Sequence, residues 1–174
     1  MKLNRVVEPF PNVTLRTQDN RQVRFYDDVV KGKVVVINFM FTTCTELCPL
    51  ATANLANFQQ ALGEHAGRDV FLVSLSVDPD HDTPAVLRRY AERFHAGPGW
   101  TFLTGKAADI ELIQRRLGLY PTDDLPHTGM AVYGNERSGS WSSTPITRNA
   151  AGMARIVLRV VESPPASGGV PKSN

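Results

Sequence analysis

The chain has 174 residues, 42 % of them hydrophobic and 21 % charged, a composition typical of one soluble globular domain and unlike disordered or fibrous proteins. A net charge of +2, with no basic run longer than two residues, argues against a nucleic-acid partner. The longest nearly unbroken apolar stretch, residues 34–41, is far shorter than the roughly 20 residues that cross a bilayer, so no transmembrane helix is expected.

The first half of the chain predicts the centre of an α/β fold. Apolar residues alternate around a polar turn at residues 18–20, which predicts a β-hairpin over residues 12–26. A strand with two apolar faces is predicted at residues 33–41, a helix at residues 49–65 and a second buried strand at residues 69–77. A strand, helix and strand in this order predict a parallel pair with a right-handed crossover.

The second half predicts further elements of the same domain. Thr83 can cap a helix that ends before Gly97, and a short strand at residues 100–103 and an amphipathic helix at residues 107–117 follow. Residues 130–133 and the region near Trp141 can pair as a late hairpin.

The C-terminal part predicts a closing helix followed by a tail. Apolar residues from Met153 to Val161 recur at i, i+3, i+4 and i+7, which favours a helix, although their Val and Ile content would also suit a strand. Residues 163–174 are rich in Pro, Gly and Ser and are expected to be disordered. We therefore expect one domain over residues 1–162 and a tail over residues 163–174.

Only two cysteines are present, Cys44 and Cys48, between the first buried strand and the helix that follows. Two cysteines cannot staple a scaffold, so they form a reactive dithiol, a metal site or a coincidental pair. The positive end of a helix dipole favours thiolates, which exchange disulfides or bind soft metal ions. The cysteines are separated by three residues, not by the two of a thioredoxin-type site, and in one helical turn both sulfurs would share a face.

Thiolates suit copper(I), and an imidazole would complete a trigonal site. His65 and His95 fall at predicted helix C-termini and His81 in a loop among aspartates, where a surface role is preferred for each. His127 lies shortly before the strand that begins near Met130, in a loop that can face the first crossover. It is therefore the strongest of the four histidine candidates, and the residues alone leave its role as a third ligand open.

Other residues with possible chemistry have simpler interpretations. Met40 and Met130 are interpreted as core residues of strands and not as copper ligands. Asp78 and Asp82 resemble a carboxylate pair, but Asp-Pro and Asp-Thr-Pro also favour turns and caps. Glu46 is expected to face solvent, where its charge would oppose thiolate formation.

Three landmarks together resemble the Sco/SenC family. They are the strand and cysteine motif VVVINFMFTTCTELCP at residues 34–49, the loop LSVDPDHDTP at residues 75–84, and His127-Thr128 before a strand. The resemblance covers about residues 10–160. It implies a thioredoxin-like fold, with a central mixed sheet flanked by helices and an N-terminal β-hairpin extension. Pro126 stands where the family usually has an acidic residue, so a carboxylate that would orient the imidazole is missing or displaced.

The resemblance also implies a ligand, partners and a location. Copper would be bound by Cys44, Cys48 and His127, in a protein that helps to assemble the binuclear copper centre of cytochrome c oxidase. The implied partners are the copper-site subunit of the oxidase, a copper donor protein and a thiol reductant, with the chain itself a monomer. Family members are typically anchored by one N-terminal transmembrane segment. We therefore expect this chain to be a soluble periplasmic domain, or the soluble part of a protein that is anchored in the membrane and faces the periplasm, if an N-terminal anchor was removed.

Three functions remain open at this point. The first is a copper(I) metallochaperone, in which both cysteines and the histidine bind metal. The second is a thiol-disulfide oxidoreductase, in which Cys44 and Cys48 form a catalytic redox dithiol. The third is a thiol peroxidase, in which peroxide would oxidise one cysteine to the sulfenic acid. The spacing of the cysteines and the histidine favour the first, and whether the chain is an enzyme stays open.

Overall fold

One mixed β-sheet organises the part of the chain that the computed structural model describes, which is residues 10–45, 47–119 and 129–164. The strands in chain order are β1 (Thr14–Thr17), β2 (Gln22–Arg24), β3 (Val34–Met40), β4 (Val70–Ser76), β5 (Trp100–Thr104), β6 (Met130–Asn135) and β7 (Ser140–Pro145). The α-helices are α1 (Leu47–Leu62), α2 (Pro84–Arg93), α3 (Ala107–Leu117) and α4 (Ala150–Val161). A π-helical turn (Phe25–Val30) and a 3₁₀ turn (Gly63–His65) complete the elements.

The strand order across the sheet is β2-β1-β5-β4-β3-β6-β7. β3 pairs with β4 in parallel and β4 with β5 in parallel, whereas β6 is antiparallel to β3. The predicted crossover from β3 through α1 to β4 is thereby confirmed. The expected α/β class, a central mixed sheet flanked by helices, is confirmed as well.

β3 is the central element of the core because all seven of its residues are buried. Its β-branched side chains suit a pleated strand that is covered on both faces. On one face, Val36 packs with residues of α1, α2 and α4, and on the other Ile37 packs with α3 and the π-helical turn. β3 is therefore held firmly up to its C-terminal end, where the cysteine motif begins.

Local sequence explains where three helices begin or end. The Thr83 hydroxyl accepts a hydrogen bond from the Val86 N–H and caps α2, as predicted. Gly118 follows α3 with φ +68°, a left-handed conformation that glycine adopts without strain. The Asn149 side chain caps α4 at the Gly152 N–H. The closing helix is thus confirmed over the strand alternative.

The N-terminal hairpin is confirmed, but it differs from the prediction in two ways. It forms one edge of the main sheet and is more than an extension beside it, because β1 also pairs with β5. Its second strand ends at Arg24, and Tyr26 lies in a π-helical turn that the sequence did not predict. Arg24 still pairs with Thr14, and its N–H donates to the Asp28 carboxylate at 2.7 Å in the turn that follows the strand.

Among the described residues, none of the helices is both long and apolar enough to span a membrane. The predicted tail begins at Ser163, and most of it, residues 165–174, lies outside the described residues.

Candidate dithiol metal site

The cysteine motif begins where β3 leaves the sheet. A turn follows Met40, and the Cys44 N–H donates to the Phe41 carbonyl at 3.2 Å. Cys44 is half-buried, whereas Cys48 is 1 % exposed and packs in the core between α1 and the sheet. The pair therefore has one sulfur near the surface and one beneath it.

The start of α1 brings the two cysteines together. The Cys48 N–H donates to the Cys44 sulfur at 3.4 Å, so Cys44 occupies the place of a helix-capping residue. Cys44 itself precedes the helix, which begins at Leu47, so the sulfurs do not simply share one helical face. The first turn of α1 has no acidic residue among those described. Its N–H groups therefore present positive partial charge that stabilises negative charge on the Cys44 sulfur.

A buried carboxylate fixes the strand end from which the cysteine motif begins. Asp82 is fully buried and accepts hydrogen bonds from the Thr42 N–H at 3.1 Å, the Thr42 hydroxyl, and the Ser76 hydroxyl at 2.6 Å. Burial raises the pKa of Asp82, but the bonds from Ser76, Thr42 and His81 outweigh it and hold that pKa below its ordinary value. The loop after β4 is thus tied to the residue two positions before Cys44.

Asp82 and its neighbours bear out the structural interpretation of this loop. The Asp82 N–H also closes a turn by donating to the Asp78 carbonyl at 2.8 Å. The His81 side chain is 53 % exposed, as a loop histidine would be, and its Nδ1 lies 3.1 Å from Asp82 Oδ1. His81 also lies 3.4 Å from the Thr42 hydroxyl, which places an imidazole at the rim of the cysteine loop.

A second polar pair lies beside the dithiol and was missed by the sequence analysis. Thr52, one turn after Cys48 on α1, shares a 2.9 Å hydrogen bond with the Tyr90 hydroxyl from α2. Burial and then the charges of Cys48 and Cys44 raise the pKa of Tyr90, against the opposing effect of the Thr52 bond. The sequence could not indicate this pair, because a contact between residues 38 positions apart has no local pattern.

The predicted third ligand, His127, falls in residues 120–128, outside the described residues, together with Pro126, and Glu46 is likewise outside them. Gly129 is the first described residue after this segment. It lies beside the start of α1, since a Cβ built on it would be 4.0 Å from Leu47 Cδ2. Among the described residues, no three His, Cys, Asp or Glu side chains converge as a metal site.

The other candidate residues have structural environments of their own. His65 Nδ1 is 2.7 Å from the Asp69 carboxylate, and His95 is exposed beyond α2 with φ +54°. Met40 is 1 % exposed and belongs to the core, as expected, and Met130 is half-buried in β6.

Comparison with known proteins places these features in a family context. A sequence profile described as SCO1/SenC matches residues 5–136, well over half of the chain. A SCO1 protein homolog from Bacillus subtilis is 38 % identical over 104 residues, which are 59 % of this chain and 51 % of the relative. The chain spans about half the length, or less, of the curated relatives it matches.

Solved structures of related proteins superpose on the fold of this chain. Copper-bound ScoI from Bradyrhizobium japonicum superposes with a TM-score of 0.69 at 26 % identity, covering 88 % of this chain and 98 % of that chain. BsSco, described as a member of the Sco family of cytochrome c oxidase assembly proteins with a disulfide switch, has a TM-score of 0.71 at 27 % identity, covering 92 % and 96 %. The fold is therefore the thioredoxin-like fold of these proteins.

Proposed function

Because the chain belongs to the SCO1/SenC family, we propose that it is a copper(I)-binding metallochaperone that assists assembly of the binuclear copper centre of cytochrome c oxidase. The observation that carries the proposal is the 3.4 Å contact between the Cys48 N–H and the Cys44 sulfur, which brings two soft ligands together at a helix start. Thiolates at such a position suit copper(I). The copper-bound relative from Bradyrhizobium supports the choice of metal.

We propose His127 as the third ligand. Two thiolates and one imidazole make a trigonal donor set that copper(I) accepts. Gly129, two residues after His127 in the sequence, lies beside Leu47 at the start of α1, and this position supports the assignment. Pro126 precedes the histidine, so any hydrogen-bond partner of the imidazole has to come from another residue.

The difference in exposure between the cysteines assigns their roles in metal transfer. Cys48 is buried and packs in the core, whereas Cys44 is half-buried at the end of the loop. A ligand of the partner therefore reaches copper on the Cys44 side, and Cys44 is the first protein ligand to be exchanged. Cys48 holds the ion until the partner's second ligand binds.

The alternative function is a thiol-disulfide oxidoreductase that acts on the cysteines of a cuproprotein. The accessible Cys44 thiolate attacks a disulfide of the partner, which forms a mixed disulfide and releases one partner thiolate. The Cys48 thiolate then attacks the Cys44 sulfur and releases the second. Two electrons pass to the partner, and a Cys44–Cys48 disulfide remains. BsSco, the relative in which a disulfide switch is described, supports this function as an alternative to the copper chaperone.

A transfer experiment separates the two functions. The partner is the metal-free copper-binding domain of a cytochrome c oxidase subunit, with its ligating cysteines either reduced or joined in a disulfide. We expect copper(I) to move from the loaded chain to the reduced domain, as followed by metal analysis after separation of the two proteins. If copper stays on the chain while the metal-free chain reduces the disulfide form, the protein is an oxidoreductase and the chaperone proposal is wrong.

An exposed leucine beside the dithiol gives a prediction about the partner surface. Leu50 is 69 % exposed in the first turn of α1, two residues after Cys48, and we propose that it is part of the surface that the partner contacts. We expect Leu50→Lys to leave copper(I) affinity unchanged and to slow transfer to the reduced domain at least about fivefold, since hydrophobic contact in the encounter complex is lost.

Leu112 offers a matched control for this variant. It is 50 % exposed on α3, whose buried residues pack on the other face of the sheet from α1. Leu112→Lys should transfer copper at the wild-type rate. Equal transfer rates for the two lysine variants would show that Leu50 is not part of the surface that contacts the partner.

The remaining partners and the location rest on family membership. We propose that a copper donor protein loads the dithiol, that a thiol reductant maintains it, and that the chain works as a monomer in the periplasm or anchored facing it.

A further inference from the structure

A cationic pocket lies at the end of the sheet opposite the dithiol, where β3 and β4 begin. It has a volume of about 440 Å³, within the range of small-molecule sites. Its charged lining consists of the cations Lys31, Lys33, Arg68 and Arg137 and one carboxylate, that of Asp69. Four positive groups against one negative group give the pocket a strongly positive potential.

The carboxylates at this pocket are already engaged. Asp69 lies 2.7 Å from His65 Nδ1 and 3.1 Å from the Arg68 guanidinium. Glu136, in the turn next to the pocket, accepts the Gly32 N–H at 2.7 Å and the Tyr26 hydroxyl at 2.8 Å. In the described part of the chain, no carboxylate pairs with Lys31, Lys33 or Arg137. Three cations of the pocket therefore remain available to an anion.

Part of the pocket is held in position by its surroundings. The Lys33 ammonium lies 5.3 Å from the centre of the Phe71 ring and donates to the Asp28 carbonyl. The Arg137 N–H bonds to the Asn135 side chain at 3.0 Å, which fixes the turn that carries the guanidinium. Phe71 and Val161 add apolar wall to the same pocket. An anion bound here would thus meet the positioned Lys33 ammonium beside an apolar surface.

We propose that this pocket binds a phosphate monoester whose apolar substituent packs against Phe71 and Val161. Guanidinium groups match phosphate oxygens in paired hydrogen bonds, and ammonium groups add point charges. A dianion matches the excess of cations better than a single carboxylate does. The phosphate belongs either to a small soluble ester or to a phospholipid headgroup, and both present the same chemistry. This site is separate from the dithiol and does not depend on the proposed copper chemistry.

The first test is a calorimetric titration of the metal-free chain with phenyl phosphate at low salt. The pocket variant is Lys31→Gln/Arg137→Gln, which changes two exposed side chains. The control is Lys106→Gln/Arg155→Gln, which removes one lysine and one arginine exposed elsewhere and gives the same net charge. We expect one equivalent of phenyl phosphate to bind, at least about tenfold more weakly to the pocket variant, and within about twofold of wild type to the control.

The second test distinguishes the sources of the phosphate. The chain is cosedimented with phosphatidylcholine vesicles that contain phosphatidic acid. Binding to the vesicles that is lost only in the pocket variant would support the proposal and identify a phospholipid headgroup as the ligand. Phenyl phosphate binding without cosedimentation would support it with a soluble ester. No binding of phenyl phosphate, or equal weakening in the two double variants, would overturn the proposal and leave the copper proposal untouched.

Discussion

Cys44→Ser and Cys48→Ser each lower the affinity for copper(I) by more than about a hundredfold, because loss of even an outer-shell partner of a metal site costs 10–100-fold. Serine is close in size to cysteine but offers a hard oxygen in place of a soft sulfur. The Cys48 N–H lies 3.4 Å from the Cys44 sulfur and can still bond an oxygen there, so the helix start should persist.

The measurement is an anaerobic competition titration of the reduced protein with copper(I) and a chelator. Thr45→Ser is the control, since Thr45 is exposed in the same loop and directly follows Cys44. It should bind one equivalent with wild-type affinity. If either cysteine variant bound copper(I) with wild-type affinity, the sulfur of that cysteine would not be a copper ligand.

Asp82→Asn lowers the free energy of unfolding by about 2–3 kcal/mol, because a buried charged acceptor of several hydrogen bonds is replaced by a group that also donates. The partners of Asp82 are the Thr42 N–H, the hydroxyls of Thr42 and Ser76, and His81 Nδ1, and an amide cannot satisfy all four equally. Urea denaturation at neutral pH measures the loss.

Asp80 supplies the control, as it is exposed two residues earlier. Asp80→Asn removes the same charge and should change stability by less than about 0.5 kcal/mol. The account of Asp82 fails if the two asparagine variants are equally stable.

The same carboxylate predicts a dependence on pH. Because its pKa is lowered in the folded state, ionised Asp82 contributes stability above the unfolded pKa of about 3.9, and this is lost as the pH falls through the folded value. Asp82→Asn should therefore flatten the decline of stability below about pH 4, relative to Asp80→Asn.

The central fold was predictable because its elements differ sharply in local pattern. β3 is a run of β-branched and aromatic residues with both faces buried. α1 begins two residues and ends three residues before its predicted bounds, and β4 lies within one residue of its prediction at each end. The helix at residues 107–117 was predicted to the residue, since Gly118 ends its apolar pattern. Local sequence patterns of this kind predict the observed elements because the burial of apolar side chains and the intrinsic secondary-structure propensity favour the same structure.

The contacts that shape the site were not predictable, since they join distant positions. Thr42 and Asp82 are 40 residues apart, and the sequence could assign Asp82 only to a turn or cap. The strand pattern continues to Tyr26, but the chain enters a π-helical turn at Phe25, and the bond from the Arg24 N–H to Asp28 has no signal in the local sequence. The cysteine pair itself was found from spacing and position in the chain, and the structure adds which sulfur is accessible.

The most direct test of the copper site is X-ray absorption at the copper edge of the copper(I)-loaded protein, measured for wild type and for His127→Ala. We predict two sulfur neighbours and one nitrogen neighbour around copper in the wild type, and two sulfur neighbours without the imidazole contribution in the variant. A copper environment without sulfur would contradict binding by Cys44 and Cys48, and an imidazole contribution that persists in the variant would contradict the assignment of His127.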